Sequence, residues 1–540
     1  MTDATTQKLS LYNFWVAFGS FALACFFGMY QVLARSGMIP AVQSPAVYFA
    51  SVSTHGVLMA FVLTTFFIMG FGYYTATASL REPIWNPKLA WTGFAIALGG
   101  TVLAAIPLLL GKASVLYTFY PPIQAHALFY IGATLLVVGS WFWALIMIVM
   151  LMRWKKSHPG QAVPLPMFAT TTNAILWLWT SLGVALEAVF QLLPWSLGLV
   201  DTIDVGLART LFVWTVHPIV YFWLIPAYIA LYCYVPQAAG GKLFSDELAR
   251  LAFLLILLFG LPIGFHHLYM DPEQAYGWKL LHMVGTFAVA IPTLLTAFTV
   301  IASMEIAGRK LGGRGLFGWI GALPWKSPMV LAAILSLLML VLGGFGGIIN
   351  ASYAMNAMVH NTAWVPGHFH LIFAGTTITM YLAVAYKLWP KLCGKALVSE
   401  DLALTQLWSW FVGMVIMTTP WHVLGLLGQP RRISSVNYNS VLTLAWVPYE
   451  LAMIIGGLIL LISGCLFVYI LYKTQAEGTP ARSVEEDYAQ FTQASGRIPG
   501  WLNGFTVWNL LILVLMALSY GYPIAQFFLM KTYDPTAWGY

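Results

Sequence analysis

The sequence has very little charge for its length. Asp, Glu, Lys and Arg make up only 8% of its 540 residues, whereas 60% are hydrophobic. An ordinary soluble domain carries about 25% charged residues. The shortage excludes such a domain and predicts an integral membrane protein.

Cysteine is also scarce. The four cysteines (Cys25, Cys233, Cys393 and Cys465) are scattered, and no two have the spacing of a metal-binding or redox motif. We expect them to be packing residues. The first apolar run is a full span without a small-residue cleavage site, so no cleavable signal peptide is predicted. Residues 473–500 form the one long polar interruption, and residues 1–540 are therefore interpreted as a single membrane domain.

Long hydrophobic runs are plentiful. Crossing a bilayer takes about 20 apolar residues, and backbone groups in lipid must find their hydrogen bonds within the segment, which favours helices. The sequence therefore predicts an all-α bundle of about thirteen transmembrane helices, twelve in the core and one more at 506–530. The apolar stretches start near residues 12, 50, 88, 126, 170, 206, 246, 277, 328, 364, 405, 442 and 506.

Lys and Arg concentrate on the cytoplasmic side of membrane proteins. With a cytoplasmic N-terminus, the inner segments hold 18 of the 25 basic residues. Thirteen spans then place the C-terminus outside. This bias accounts for the net charge of +7, which therefore gives no reason to expect a nucleic-acid partner. The seven outer basic residues are Arg35, Lys112, Arg209, Lys279, Arg431, Arg432 and Lys531.

Several histidines lie within the predicted spans, where lipid does not compensate for the loss of hydration. Six of them share the outer half of the membrane. A single one could equally be a hydrogen-bond donor facing the bundle, but six at one depth indicate a ligand site. For His126, His282 and His422, and for His158 in an inner loop, we keep the structural interpretation and expect no ligand role. The six are His55, His217, His266, His267, His368 and His370.

His368 and His370 are separated by one residue. Positions two apart on a helix point about 200° away from each other, so these two side chains cannot bind one metal ion. They face separate partners on opposite sides of the tenth span. Imidazole is a common ligand of transition metals and haem, and a helix between two haems would need this spacing. His55 is free to supply the opposite axial ligand of one haem.

His217, His266 and His267 would suit copper or non-haem iron, since imidazole favours these metals and three nitrogens leave a position open for a reactant. Adjacent histidines point about 100° apart on a regular helix. We therefore expect the helix to be distorted there, or the metal to lie near its end. Pro262 and Gly264 just upstream are consistent with a distortion.

Three motifs carry a family resemblance: "HPIVYFWLIPAY" at 217–228, "HH" at 266–267 and "HFH" at 368–370, with separations of 49 and 102 residues. Together they resemble subunit I of the haem-copper oxygen reductases, most closely the B-type branch. The resemblance implies a terminal oxidase in a prokaryotic cell membrane that reduces oxygen to water and translocates protons.

The same resemblance implies the cofactors and their ligands. His55 and His370 would bind a low-spin haem of b or a type. His368 would bind a high-spin haem of a3, b3 or o3 type, and His217, His266 and His267 would bind the copper called CuB. Tyr221, four residues after His217, would be linked covalently to that histidine and supply an electron and a proton.

A proton route is also expected. Ile219 stands where A-type relatives have a glutamate, which argues against their acid-lined route. Tyr228 and Tyr232 follow Tyr221 at +7 and +11 and form one stripe of the sixth span. Thr293, Thr296 and Thr299 form a ladder on the eighth span, which taken alone is more often helix packing. Hydroxyls at such intervals, with bound water, can relay protons.

The outer side offers anchors for haem propionates. Arg431 and Arg432 form the one adjacent basic pair on that side, and guanidinium groups bind carboxylates bidentately. Solvent or lipid headgroups are the alternative partners. We also expect His360 and Asn356 near the high-spin propionates. B-type relatives often have Asp at the position of Asn356, so a carboxylate role there is in doubt.

The implied partners are oxygen, cytochrome c or a quinol, and a subunit II carrying a dinuclear copper centre, because this chain has no thiolate cluster. A small single-helix subunit is left open. Nitric oxide reductase of the same superfamily is the nearest rival, but its glutamate is replaced by Tyr221. A transporter with a histidine relay is the other rival, and bound haem would exclude it.

Overall fold

The computed structural model describes residues 3–481, 486–492 and 498–529. These residues form helices and turns without a β-strand. The long helices are α1 (Ala4–Ser36), α2 (Pro45–Leu80), α3 (Pro87–Leu109), α4 (Ala127–Ser157), α5 (Leu165–Ser196), α6 (Val205–Ala238), α7 (Asp246–Gly260), α8 (Tyr276–Lys310), α9 (Pro328–Ala351), α10 (Trp364–Cys393), α11 (Glu400–Leu426), α12 (Val441–Glu477) and α13 (Thr506–Leu529).

Within the described part of the chain, twelve of these helices are long and apolar enough to cross a membrane. The exception is α7, whose 15 residues end at Gly260, fewer than the roughly 20 that a crossing requires. The all-α membrane architecture is confirmed, whereas the count of thirteen spans stays a prediction. Arg482, Arg497 and Lys531, which enter the orientation count, lie outside the described residues, as does the C-terminus.

The helices begin where polar turn residues precede an apolar run. Ser245 caps α7 by accepting a hydrogen bond from the backbone N–H of Leu248 at 3.2 Å. Asn86 caps α3 in the same way at 3.1 Å, with Pro87 at the first helical position. Such caps satisfy N–H groups that the helix itself leaves unpaired.

Three helices contain π-helical stretches, and two of these stretches lie beside candidate haem ligands. In α2 the stretch Leu58–Leu63 starts three residues after His55. In α10 the stretch Leu371–Ile378 starts directly after His370. π-helical turns are rare and occur often at functional sites, because they rotate the side chains beyond them.

Helices α3 and α4 approach each other closely along a row of small residues. A Cβ atom on Gly100 would lie 2.5 Å from the carbonyl oxygen of Gly132. One on Gly139 would lie 2.6 Å from the carbonyl oxygen of Gly93. Small residues allow membrane helices to pack through van der Waals contact where no hydrophobic drive exists.

Residues 486–492 of the polar 473–500 segment are bound to neighbouring ends of three helices, on the side predicted to be cytoplasmic. The Glu486 carboxylate lies 2.7 Å from Lys391 and 3.2 Å from Lys387, both on α10. It also accepts a hydrogen bond from the Tyr74 hydroxyl of α2 at 2.8 Å. The backbone N–H of Ala489 donates to the carbonyl oxygen at position 233 on α6 at 2.8 Å. We call residues 486–492 the inner clip.

Helix α13 is held on the bundle by the residues just before it. Asn503 accepts hydrogen bonds from the backbone N–H of Val163 at 2.9 Å and from the fully buried Arg250 guanidinium at 3.3 Å. Arg250 is neutralised by Asp246 at 2.9 Å. Farther along, the Trp179 indole N–H donates to the Asn509 side chain at 3.2 Å. The last helix is thus an integral part of the fold.

The α3–α4 contact gives a stability prediction. Replacing Gly100 by Leu overfills that contact, and overpacking costs about 1–3 kcal/mol. We expect a lower midpoint of thermal unfolding in detergent, followed by circular dichroism. Gly99→Leu is the matched control, since a Cβ at Gly99 has no neighbour within 4 Å. Equal loss in both variants would contradict this account of the interface.

Candidate metal centre

Three histidine side chains converge where α6 and the segment after α7 meet. His217, His266 and His267 each offer a ring nitrogen, and these nitrogens all lie within 4.8 Å of one another. The ring centroid of His266 lies 4.4 Å from that of His217 and 4.2 Å from that of His267. Three neutral imidazoles at this separation suit copper or another late transition metal.

The chain brings these residues together by ending one helix and breaking another. His217 and Pro218 interrupt α6. Helix α7 stops at Gly260, and a separate 3-10 turn, Phe265–His267, carries the other two histidines. Gly264 precedes this turn, where a Cβ would lie 2.7 Å from the carbonyl oxygen of Val213. We call Gly264–His267 the metal turn.

Hydrogen bonds select the ring nitrogens that remain for a metal. The Tyr221 hydroxyl lies 3.0 Å from Nε2 of His217, which leaves Nδ1 of that ring. The Thr286 hydroxyl lies 3.1 Å from Nδ1 of His266, which leaves Nε2. Outer partners of this kind orient metal-binding imidazoles. Thr286 was not predicted; its only sequence signal is its position on the inward face of α8.

His55 and His370 face each other across a gap. Their rings are nearly parallel, 16° apart, with centroids separated by 6.4 Å. Two imidazoles that bind one metal from opposite sides at about 2 Å each hold their centroids about 6 Å apart. Nδ1 of His55 lies 2.8 Å from the carbonyl oxygen of Ala24, and Nδ1 of His370 lies 2.7 Å from that of Pro366. Both Nε2 atoms are left for a haem iron.

His368 lies on the other side of α10. Its Nδ1 is 3.0 Å from the carbonyl oxygen of Gly343 on α9. A Cβ on Gly346 would lie 2.6 Å from the same nitrogen, so this ring packs directly on the α9 backbone. The rings of His370 and Trp421 of α11 are 4.7 Å apart. Helix α10 therefore presents one imidazole towards α2 and α11 and the other towards α9.

Arg431 and Arg432 lie in the loop after α11. The backbone N–H of Arg431 donates to the carbonyl oxygen of Asn361 at 2.9 Å. The Arg432 guanidinium lies 4.1 Å above the ring of Tyr120, and its buried Nε has no hydrogen-bond partner among the described residues. Burial and the neighbouring Arg432 lower the pKa of Arg431 to about 10, which leaves its guanidinium charged at neutral pH. Two adjacent, half-buried guanidinium groups fit an anionic partner such as a haem propionate.

Asn356 connects the metal turn to His360. Its side-chain amide donates to the carbonyl oxygen of His266 at 3.2 Å, and its Oδ1 lies 3.0 Å from Nδ1 of His360. Burial lowers the pKa of the His360 imidazole. The two residues predicted near the high-spin propionates thus contact each other, and one of them contacts a candidate copper ligand.

Arg35 is a buried charged residue close to the Trp421 ring that packs on His370. From the sequence it was only counted among the outer basic residues, and no role was predicted for it. The Arg35 guanidinium lies 4.8 Å above the ring of Trp421 and 3.9 Å from the carboxylate of Glu450. Gln429 donates to Glu450 at 2.6 Å. The available sequence signal was the position of Arg35 at the predicted outer end of the first span, where the charge bias disfavours basic residues.

The predicted hydroxyl stripe lies where α6 meets α8. The Tyr232 hydroxyl donates to Thr296 Oγ1 at 2.8 Å, and Thr296 donates to the carbonyl oxygen of Pro292. The hydroxyls of Tyr228 and Thr299 are buried and have no hydrogen-bond partner within the described residues. Thr293 is half-buried and donates to Val289 at 3.2 Å. Unpaired buried hydroxyls are sites for bound water.

The fold and this site define a class: helical membrane proteins with a three-imidazole cluster that could hold a metal and a neighbouring helix that presents imidazoles on two sides. A family model described as cytochrome C and quinol oxidase polypeptide I matches residues 8–459. The chain belongs to this family and is the catalytic subunit of a terminal oxidase.

Individual proteins agree with the family model. Cytochrome c oxidase subunit 1 of Thermus thermophilus is 41% identical over 97% of this chain and 95% of its own length. The same subunit of Thermostichus vulcanus is 25% identical over 78% of this chain and 74% of its own length. A cryo-EM structure of a heme-copper terminal oxidase dimer matches 97% of this chain and 93% of that chain, with a TM-score of 0.92 and 37% identity.

The two-sided geometry of α10 gives a spectroscopic prediction. We expect His370→Ala to remove the low-spin haem signal while carbon monoxide still binds, because His368 is untouched on the opposite side. His368→Ala should do the reverse. Optical spectra of the dithionite-reduced variants, with and without carbon monoxide, would measure both. Exchanged phenotypes would overturn the assignment of the two sides.

Proposed function

We propose that this chain reduces oxygen to water between a high-spin haem and CuB, with electrons from cytochrome c. The observation that carries the proposal is the three-histidine cluster, in which the Tyr221 hydroxyl lies within hydrogen-bond distance of His217. Helix α10, which presents imidazoles on two sides, supports the same proposal. His55 and His370 would hold the low-spin haem, and His368 the high-spin haem. Arg431, Arg432, Asn356 and His360 would contact propionates.

The metals supply electrons and open coordination positions when bound. The protein's own part is to hold neutral imidazoles in place and to manage protons. Each candidate haem ligand has its Nδ1 against a backbone carbonyl oxygen, which fixes the ring and its tautomer. With Nδ1 donating to a carbonyl oxygen, Nε2 of each of these rings keeps its lone pair for a metal.

Tyr221 is the proposed proton and electron donor. Its hydroxyl lies at the cluster, 3.0 Å from Nε2 of His217, so its proton is available where oxygen would be reduced. The i+4 spacing on α6 holds the two rings together, 5.1 Å between centroids, and fits the covalent link expected from the family. Tyr221 thus combines general acid and redox roles.

Tyr228, Tyr232, Thr293, Thr296 and Thr299 would deliver protons from the cytoplasmic side. The bond from Tyr232 to Thr296 joins α6 to α8. The unpaired hydroxyls of Tyr228 and Thr299 can take part in a water-mediated chain. We propose that uptake along this route is coupled to proton translocation across a prokaryotic cell membrane.

A separate subunit should deliver the electrons. The four cysteines of this chain are unpaired and scattered, so a dinuclear copper centre would lie on a subunit II. The relatives in Thermus and Thermostichus are named cytochrome c oxidase subunit 1, which supports cytochrome c over a quinol as the donor. A small single-helix subunit would complete the complex.

The carbon monoxide difference spectrum of the purified, dithionite-reduced protein tests this proposal first. We expect two haems, of which only one responds to the gas, together with one copper by elemental analysis. Oxygen uptake driven by reduced cytochrome c should exceed uptake driven by a quinol. Absence of haem, or a response from both haems, would overturn the proposal.

Tyr221→Phe tests the chemical step. The variant should keep both haems and lose at least 100-fold in oxygen turnover, because general acid catalysis contributes about 10²–10⁴-fold. Oxygen-electrode rates normalised to haem content would measure the loss. Tyr130→Phe serves as the control, since it removes a buried tyrosine hydroxyl on α4 that lies outside the cluster. Near-normal uptake by Tyr221→Phe would remove the proposed role.

Tyr232→Phe and Thr296→Val test the proton route. Each removes one partner of the hydrogen bond that joins α6 to α8, so we expect slower turnover with unchanged haem spectra. Thr134→Val is a control, because this α4 hydroxyl bonds only to the carbonyl oxygen of its own helix. Unchanged stopped-flow rates in both test variants would favour a packing role for the ladder.

A further inference from the structure

His282, for which the sequence predicted a structural role and no ligand role, connects the metal turn to α13. Its Nδ1 accepts hydrogen bonds from the backbone N–H groups of Gly264 at 3.0 Å and Phe265 at 3.3 Å. Its Nε2 lies 3.2 Å from the carbonyl oxygen of Ser519. The side chain is fully buried.

These partners determine the state of the ring. A backbone N–H can only donate and a carbonyl oxygen can only accept. Nδ1 of His282 is therefore unprotonated, and Nε2 carries the hydrogen that it donates to Ser519. The ring is neutral and uses both nitrogens, so it has none left for a metal. His282 is a support rather than a ligand.

Aromatic contacts fix the plane of the ring. The His282 and Phe265 rings are stacked, with centroids 3.8 Å apart and planes 6° apart. Tyr520 of α13 packs edge-on against both rings, at 5.2 and 5.5 Å. A Cβ at Gly264 would lie 2.7 Å from the Tyr520 hydroxyl. The metal turn thus packs directly against α13.

The same turn of α8 also reaches a ligand ring. The Thr286 hydroxyl donates to the carbonyl oxygen of His282 at 2.6 Å and lies 3.1 Å from Nδ1 of His266. His282 therefore holds the backbone before the ligands, and Thr286 holds one of the rings. Without His282, two buried N–H groups of the metal turn would lose their acceptor.

We infer that His282 is a positioning residue for the copper ligands His266 and His267, and that α13 belongs to the metal centre through the carbonyl group of Ser519. The inference rests on the proposed function, since it concerns the copper site. On this inference, α13 helps to hold the backbone of the metal turn in place.

Two substitutions separate the parts of this support. His282→Phe keeps an aromatic ring that can stack on Phe265 but removes all three hydrogen bonds, those from Gly264 and Phe265 and the one to Ser519. His282→Asn keeps an acceptor near the position of Nδ1 but is too short to reach Ser519. Their copper-to-haem ratio after dialysis against a chelator, by elemental analysis, is the readout. This ratio reports on copper retention independently of turnover.

We expect His282→Phe to keep both haems and to bind copper about tenfold more weakly, as is usual when an outer-shell partner is lost. His282→Asn should fall between this variant and the wild type. The control is His126→Phe, which removes a histidine that caps α4 at the surface and should leave the ratio unchanged. His266→Ala, which removes a ligand, sets the lower limit.

The outcomes are distinguishable. Wild-type copper retention by His282→Phe would overturn the inference while leaving the proposed function intact. Wild-type copper retention by His282→Asn would overturn the role of α13. If His282→Phe does not assemble with haem, the copper retention of His282→Asn alone tests the inference. A wild-type protein without copper would overturn the proposed function and this inference with it.

Discussion

Imidazole burial is the constraint on which the rest of the structure depends. A ring nitrogen that loses water inside a membrane must find a partner in the protein or in a cofactor. His55, His368 and His370 each direct Nδ1 to a backbone carbonyl oxygen. His217 and His266 use a tyrosine and a threonine hydroxyl. In each of these five rings, one nitrogen has a hydrogen-bond partner in the protein and the other remains for a metal.

The helix architecture follows from this requirement. Carbonyl groups are available only where a neighbouring helix comes very close, as α9 does at Gly343 and Gly346, or where the ring reaches back along its own helix. The interruption at His217–Pro218 and the end of α7 at Gly260 also position ring nitrogens for a metal, because a regular helix could not direct adjacent histidines to one point. Departures from regular helix thus coincide with the chemistry.

Much of the fold and site could be predicted because membrane burial leaves a strong mark on sequence. Apolar runs gave the helices, and the shared depth of six histidines gave the site. The apolar run that starts near residue 246 was predicted to be a span, but hydropathy could not show that its helix ends at Gly260, before the two histidines. Contacts such as Asn356 to His266, or Arg35 to Glu450, join distant segments and required the tertiary structure. The partners of His282 could not be predicted for the same reason.

The inner clip has a consequence for electron transfer. Glu486 and Ala489 tie together neighbouring ends of α2, α6 and α10, the helices that carry His55, His217 and the His368–His370 pair. Under the proposed assignment, the low-spin haem would lie between α2 and α10, so a tilt of α2 against α10 would change its distance from the haem on the other side of α10. Because tunnelling between redox centres depends steeply on distance, polar contacts at one end of the bundle would then help to set an electron-transfer rate near the other end.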